Sequence, residues 1–298
     1  MVKLIKQGGG GFTIYLPKKW VDENKLSKGD NLDVTVSGKE LIIGPKATNK
    51  KSEIETKLTN SSETSIRTLI TNVYRTGYDR VKIFFNTEDQ FKILQKIIKT
   101  RLIGFEVIKK EKDFCIIENI TEPSVDQFDN ILNKLFLNIE EIFDITKERL
   151  NNSKEKIEDY NEVEERIHKY DNFCRRMIIK QKLIKQKSEL FWSFLSQIIH
   201  AQRELYLLNK SFNNKEVSKQ IKELFETAKR LFDLTKQAYF ENNIEILWKI
   251  HKIERETIYK KAYSLLETKP KESKITYHLA SCIRQLHLST SSLAGLIM

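Results

Sequence analysis

The chain has 298 residues, with 52 Lys and Arg against 41 Asp and Glu and a formal net charge of +11. Its 40% hydrophobic content, including 16 Phe and 10 Tyr, suffices to bury a substantial core, which excludes a disordered chain, and the length favours two or more domains. No apolar run approaches the roughly 20 residues of a membrane-spanning helix, and the N-terminus lacks an apolar signal core, so a cytoplasmic protein without membrane insertion is expected.

Glycine and proline divide the sequence into regions. Seven of the ten glycines fall within the first 44 residues, whereas none occurs from Phe105 to Ala294. Residues 1–46 read as a small β-rich unit. Phe12–Leu16 is β-prone, Leu32–Val36 alternates, and Ser37-Gly38 marks a turn before Glu40–Ile43. Pro17 suits the first turn of a short helix over Lys18–Glu23. So short a segment makes a poor core alone, which predicts obligate dimerisation.

Residues 47–63 are polar and read as a linker with a helical start. Residues 64–120 read as a small α/β unit in the order α-β-α-β-β. Its helices are expected over Ser65–Arg75 and Glu88–Arg101, and its strands over Asp79–Phe85, Ile103–Ile108 and Phe114–Glu118. From residue 121 onward the pattern is helical. Phe128, Ile131, Leu132 and Leu135 share one helix face, as do Ile221, Leu224, Phe225 and Ala228. Breaks near residues 151–153, 185–187, 213–214, 242–243 and Pro270 cut it into six helices. Two tandem three-helix bundles are expected, over about 121–212 and 213–298.

The run Gly11 to Trp20, with its Leu16-Pro17-Lys18-Lys19-Trp20 core, precedes Leu26-Ser27-Lys28-Gly29-Asp30 and the alternating segments after it. These residues resemble the swapped-hairpin domain of AbrB/SpoVT-type regulators. The resemblance implies that two chains interleave their hairpins into one small β-barrel, and that basic residues of the first strand and nearby loops meet DNA. Residues 1–46 contain no arginine, so Lys3, Lys6, Lys18 and Lys19 are the DNA-binding candidates; lysine neutralises phosphate but lacks a bidentate fork for reading bases. A dimerisation module that never touches DNA is the alternative.

A swapped-hairpin domain, a small α/β unit with Tyr74–Tyr78 and Ile103–Val107, and six helices together resemble archaeal PhoU-type phosphate-uptake regulators. This resemblance implies a dimeric regulator of phosphate homeostasis that binds DNA through its N-terminal domain. The alternative is an adaptor whose helices regulate a phosphate transporter ATPase or a sensor kinase. PhoU-type domains often hold metal through acidic i, i+4 pairs on the third helix of each bundle. Here the last helix has no carboxylate from Ser273 to Met298, and Glu189 and Glu204 are the only acids on the third, so neither a metal site nor any other cofactor is expected. His200 and His287, each on the third helix of its half, read either as ligands or as partly buried, hydrogen-bonded side chains.

Cys115, Cys174 and Cys282 form no C-x-x-C pair and read as small buried hydrophobes. Glu162–Arg166, Glu165–Lys169 and Asp171–Arg175 read as acid-before-base helical pairs, and no constellation supports an enzyme. Arg175, Arg176, Lys180, Lys182, Lys185 and Lys187, with no acid between Asp171 and Glu189, form the densest basic run. It reads either as a solvated helix end or as a patch for an acidic partner or DNA backbone.

Overall fold

The computed structural model describes residues 3–6, 11–37, 40–45, 52–121, 125–151, 157–181, 187–212 and 216–298. The chain divides into two units, Met1–Lys51 and Ser52–Met298.

The first unit consists of two hairpins and one short helix. Strand β1 (Leu4–Lys6) pairs antiparallel with β2 (Phe12–Ile14), placing Leu4 opposite Ile14. Helix α1 spans Lys18–Glu23, with Pro17 immediately before its first turn. Strands β3 (Leu32–Ser37) and β4 (Glu40–Pro45) pair with Val36 opposite Leu41. The Lys28-Gly29-Asp30 turn between helix and strand needs its glycine, because φ at Gly29 is +97°. The Asp30 carboxylate accepts from the Ser27 amide at 2.6 Å and closes that turn. The single chain does not form a closed barrel, since its hairpins remain two separate two-stranded sheets. No described residue of this unit is buried. Two-stranded hairpins without a covered face are marginal in water.

The second unit opens with a strand where the composition pointed to a linker. Strand β5 (Glu53–Lys57) runs parallel to β6 (Arg80–Phe84), and α2 (Glu63–Arg75) makes the crossover between them. Only Ile54 of β5 is strongly apolar, and it packs on the core while the charged alternates face out. An edge strand tolerates that composition because one side of its backbone has no neighbour. Helix α3 (Glu88–Arg101) starts with a capping box in which Thr87 Oγ1 accepts from the Gln90 amide and Gln90 Oε1 accepts from the Thr87 amide. Strands β7 (Phe105–Lys110) and β8 (Phe114–Asn119) complete a four-stranded sheet of order β5-β6-β8-β7. Ile66, Ile70, Tyr74, Val81, Ile83 and Leu94 build its core. The tight corner before β7 also requires a glycine. Gly104 has φ +81°, and a Cβ there would lie 2.8 Å from the Thr121 carbonyl oxygen.

Six rods follow: α4 (Val125–Asn151), α5 (Ile157–Gln181), α6 (Ser188–Ser211), α7 (Lys219–Phe240), a composite rod, and α10 (Ser273–Ile297). The composite rod is α8 (Glu245–Glu256), a π-helical turn (Thr257–Ala262) and α9 (Tyr263–Thr268). The rods of each expected half pack on one another, and apolar contacts also join the two halves. Helix α10 packs along α6 as well as α7, and α4 reaches α7. Phe136 and Phe143 of α4 lie 6.0 Å and 5.1 Å from the Phe232 ring of α7. One apolar cluster runs through all six rods.

Candidate functional site

The N-terminal candidates are all exposed. Lys3 and Lys6 bracket β1, and Lys18 and Lys19 open α1. Lys19 extends into solvent with its ammonium 3.9 Å from Glu23, a surface pair worth at most about 1 kcal/mol, so it remains available to a polyanion. Around these lysines the strands present apolar side chains to solvent. Leu4, Phe12, Tyr15, Val34, Val36 and Leu41 are each more than half exposed. The first unit thus combines exposed cations with unburied strand faces, a surface that lacks a covering partner.

The densest basic run is placed differently from its reading as a solvated end or partner patch. Arg175 and Arg176 are buried inside the second unit. The Arg175 guanidinium donates to Asp171 at 2.8 Å and lies over the Trp192 ring. Arg176 donates to the Tyr74 and Tyr78 carbonyls, both at 2.9 Å, and to the Asp79 carboxylate at 2.8 Å. Its guanidinium also rests against the Tyr74 and Phe105 rings. Lys180 hydrogen-bonds the same Asp79 carboxylate, and Lys187 donates to the Leu296 carbonyl at 2.9 Å. Lys182 and Lys185 lie outside the described residues.

This part of α5 is therefore a clamp onto the α/β unit. Arg75 of α2 completes it, donating to Asp171 at 2.9 Å and Asn172 at 2.8 Å. Burial alone would raise the Asp79 carboxyl pKa. Hydrogen bonds from Lys180 and from Ser52 win, and hold it below the usual carboxylate range. The Asp171–Arg175 pair was legible from its i, i+4 spacing. That Arg75 and Asp79 would converge there was not, because they are distant in sequence and carry no local signal.

Other polar candidates also have internal partners. Arg166 grips Glu141 of α4 through two bonds of 2.7 and 2.9 Å. His200 is exposed rather than partly buried. His287 meets His251 at 2.8 Å between ring nitrogens, and His278 meets Glu204 at 2.8 Å. All three cysteines are buried, and burial pushes the Cys115 thiol up to about 12. Among the described residues, no group of three or more His, Cys, Asp and Glu side chains is arranged to hold a metal ion. None of the described helices is long and apolar enough to cross a membrane.

Residues 5–51 match the model of a family described as antidote-toxin recognition MazE, bacterial antitoxin. The N-terminal unit therefore carries a MazE/AbrB-like domain. That match takes in both hairpins, α1 and the lysines Lys6, Lys18 and Lys19, and ends before β5. No curated protein matches the chain. No solved structure matches it either.

Proposed function

We propose that the protein is a homodimeric, non-enzymatic DNA-binding regulator. Its MazE/AbrB-like domain holds the dimer and meets the duplex, and its helical second unit receives a signal or a protein partner. The observation that supports this most is the first unit itself: strand faces with no covering layer, next to four exposed lysines. A second copy supplies the missing layer. Two-fold symmetry then doubles each lysine contact, which suits the repeated phosphates of a duplex.

The finer reading is a PhoU-type regulator of phosphate uptake, acting in the cytoplasm on transcription. It rests on the order of a swapped-hairpin domain, an α/β unit and six helices. The adaptor reading, with a transporter ATPase or sensor kinase as partner, uses the same helices without DNA. The matched family's description also supports an antidote reading, in which the protein recognises a toxin protein.

Salt-dependent DNA binding tests the proposal. On duplex DNA each neutralised phosphate contributes about −0.9 to the slope of log affinity against log salt. Replacing Lys18 and Lys19 with Gln should keep the dimer, weaken binding across unrelated sequences and flatten that slope by roughly one unit per lost contact. Unchanged affinity and slope would leave the N-terminal domain a dimer clasp and favour the adaptor.

A further inference from the structure

The composite α8–α9 rod and α10 present exposed aromatic and basic side chains along one face of each. On the rod, Trp248, Lys252, Arg255, Tyr259 and Tyr263 follow one another at helical spacing, and all are exposed. On α10, Tyr277, Arg284 and Leu288 do the same. Trp248 is 64% exposed and Tyr277 57%, unusual for such large rings.

Named contacts join the two stripes. The Tyr259 hydroxyl on the rod lies near the Arg284 guanidinium of α10 and raises its pKa. His251, beside the Trp248 ring, meets His287 of α10 at 2.8 Å. The π-helical turn lies in this stretch, and the Tyr259 and Tyr263 rings meet edge to face at 5.7 Å. Such turns recur at functional sites because they displace side chains from the regular helical stripe. A shallow groove of about 450 Å³ opens at Arg255, Tyr259 and Lys260.

The charge of the face is one-sided. Among these described residues, the rod from Trp248 to Tyr263 has two carboxylates. Glu254 is buried beneath His287, and Glu256 is exposed one helical turn after Lys252. Helix α10 has none. Lys252, Arg255 and Arg284 thus face solvent between aromatic rings, with one exposed acid, Glu256, beside them. Trp, Tyr and Arg are the side chains that dominate protein interfaces, since each combines a large apolar surface with a polar end.

We infer that this α8–α10 face docks an acidic, amphipathic segment of a partner protein. Its carboxylates meet Lys252, Arg255 and Arg284, and its apolar side chains pack between Trp248 and Tyr259. The complementarity is specific in sign: a basic segment would leave three cations opposed.

The test uses the full-length protein and a fluorescein-labelled helical peptide of glutamate and leucine repeats, followed by anisotropy. Binding should weaken by about tenfold or more in Trp248→Ala and in the double variant R255E/R284E, the scale of losing one interface anchor. A second double variant, K92E/K96E on the exposed face of α3, makes the same change in net charge and should leave binding intact. A peptide of lysine and leucine repeats should bind R255E/R284E and not the parent, a gain that misfolding cannot produce. Equal weakening by K92E/K96E would reduce the effect to net charge and overturn the inference. So would binding insensitive to Trp248→Ala and R255E/R284E, or a smaller sedimentation coefficient for R255E/R284E, which would assign the face to a second copy of the chain.

Discussion

Asp79 is the residue on which the docking of α5 depends. One carboxylate receives Arg176 and Lys180 from α5 and the Ser52 amide and hydroxyl from the start of the α/β unit. Arg176 is almost fully buried, so removing its counter-charge leaves a cation that water cannot reach. Asp79→Asn should therefore cost about 3 kcal/mol of stability near neutral pH, measured by urea unfolding. The sign of the pH dependence follows from the depressed folded-state pKa. The carboxylate stabilises the fold above its unfolded value of about 4, and that contribution is lost as pH falls through the lower folded value. The gap between parent and variant should thus narrow from about pH 4 downward. A gap that stays constant between neutral pH and pH 3 would mean that the charge is not what Asp79 contributes. Sequence reading found the cations of this cluster but took them for surface. A run of Arg and Lys looks the same whether water or a distant Asp completes it.

At the scale of elements, legibility followed the strength of local signals. Helix α1 begins after Pro17 and spans Lys18–Glu23 as read, and α3 spans the expected Glu88–Arg101, its start fixed by a capping box that the structure reveals. Strand β5 was missed because an edge strand with one inward Ile54 has the composition of a linker, and β1 was missed because its three residues carry no period. The β3–β4 hairpin was legible, whereas its lack of a covering layer became visible only in the exposures of Val34, Val36 and Leu41. That lack motivates a prediction. Val36 lies opposite Leu41 in the β3–β4 register, and both side chains are more than half exposed in the single chain. Burying such a side chain contributes about 1.5 kcal/mol, and a two-fold interface counts it twice. Val36→Lys should hence weaken self-association by about a hundredfold, given that 1.4 kcal/mol is tenfold. Sedimentation equilibrium measures it. An unchanged dimer would place self-association on another surface.

For the whole molecule, the decisive feature is that the six rods share one core. Three helices followed by three helices reads in sequence as two bundles, because each helix shows its own apolar stripe and none shows which neighbour covers it. The structure covers them across the presumed boundary: Phe136 of α4 meets Phe232, Tyr239 and Phe240 of α7, and α10 lies along α6. Lys236 and Glu140, 2.8 Å apart, bridge α7 and α4 along the same seam. Cutting the chain between α6 and α7 would expose these aromatics, each worth several kcal/mol of burial, on both fragments. Residues 121–212 and 213–298 expressed separately should therefore melt without a cooperative transition in circular dichroism, and together should regain one. Two tandem bundles would behave otherwise, each half unfolding cooperatively by itself and gaining nothing from the other. A signal received at the outer α8–α10 face would, in a single core, be felt by α6 directly through α10, and from α6 by α5 and its clamp on the α/β unit. In separate bundles it would stop at the seam, so the fragment experiment also decides whether the helical unit can transmit as one body.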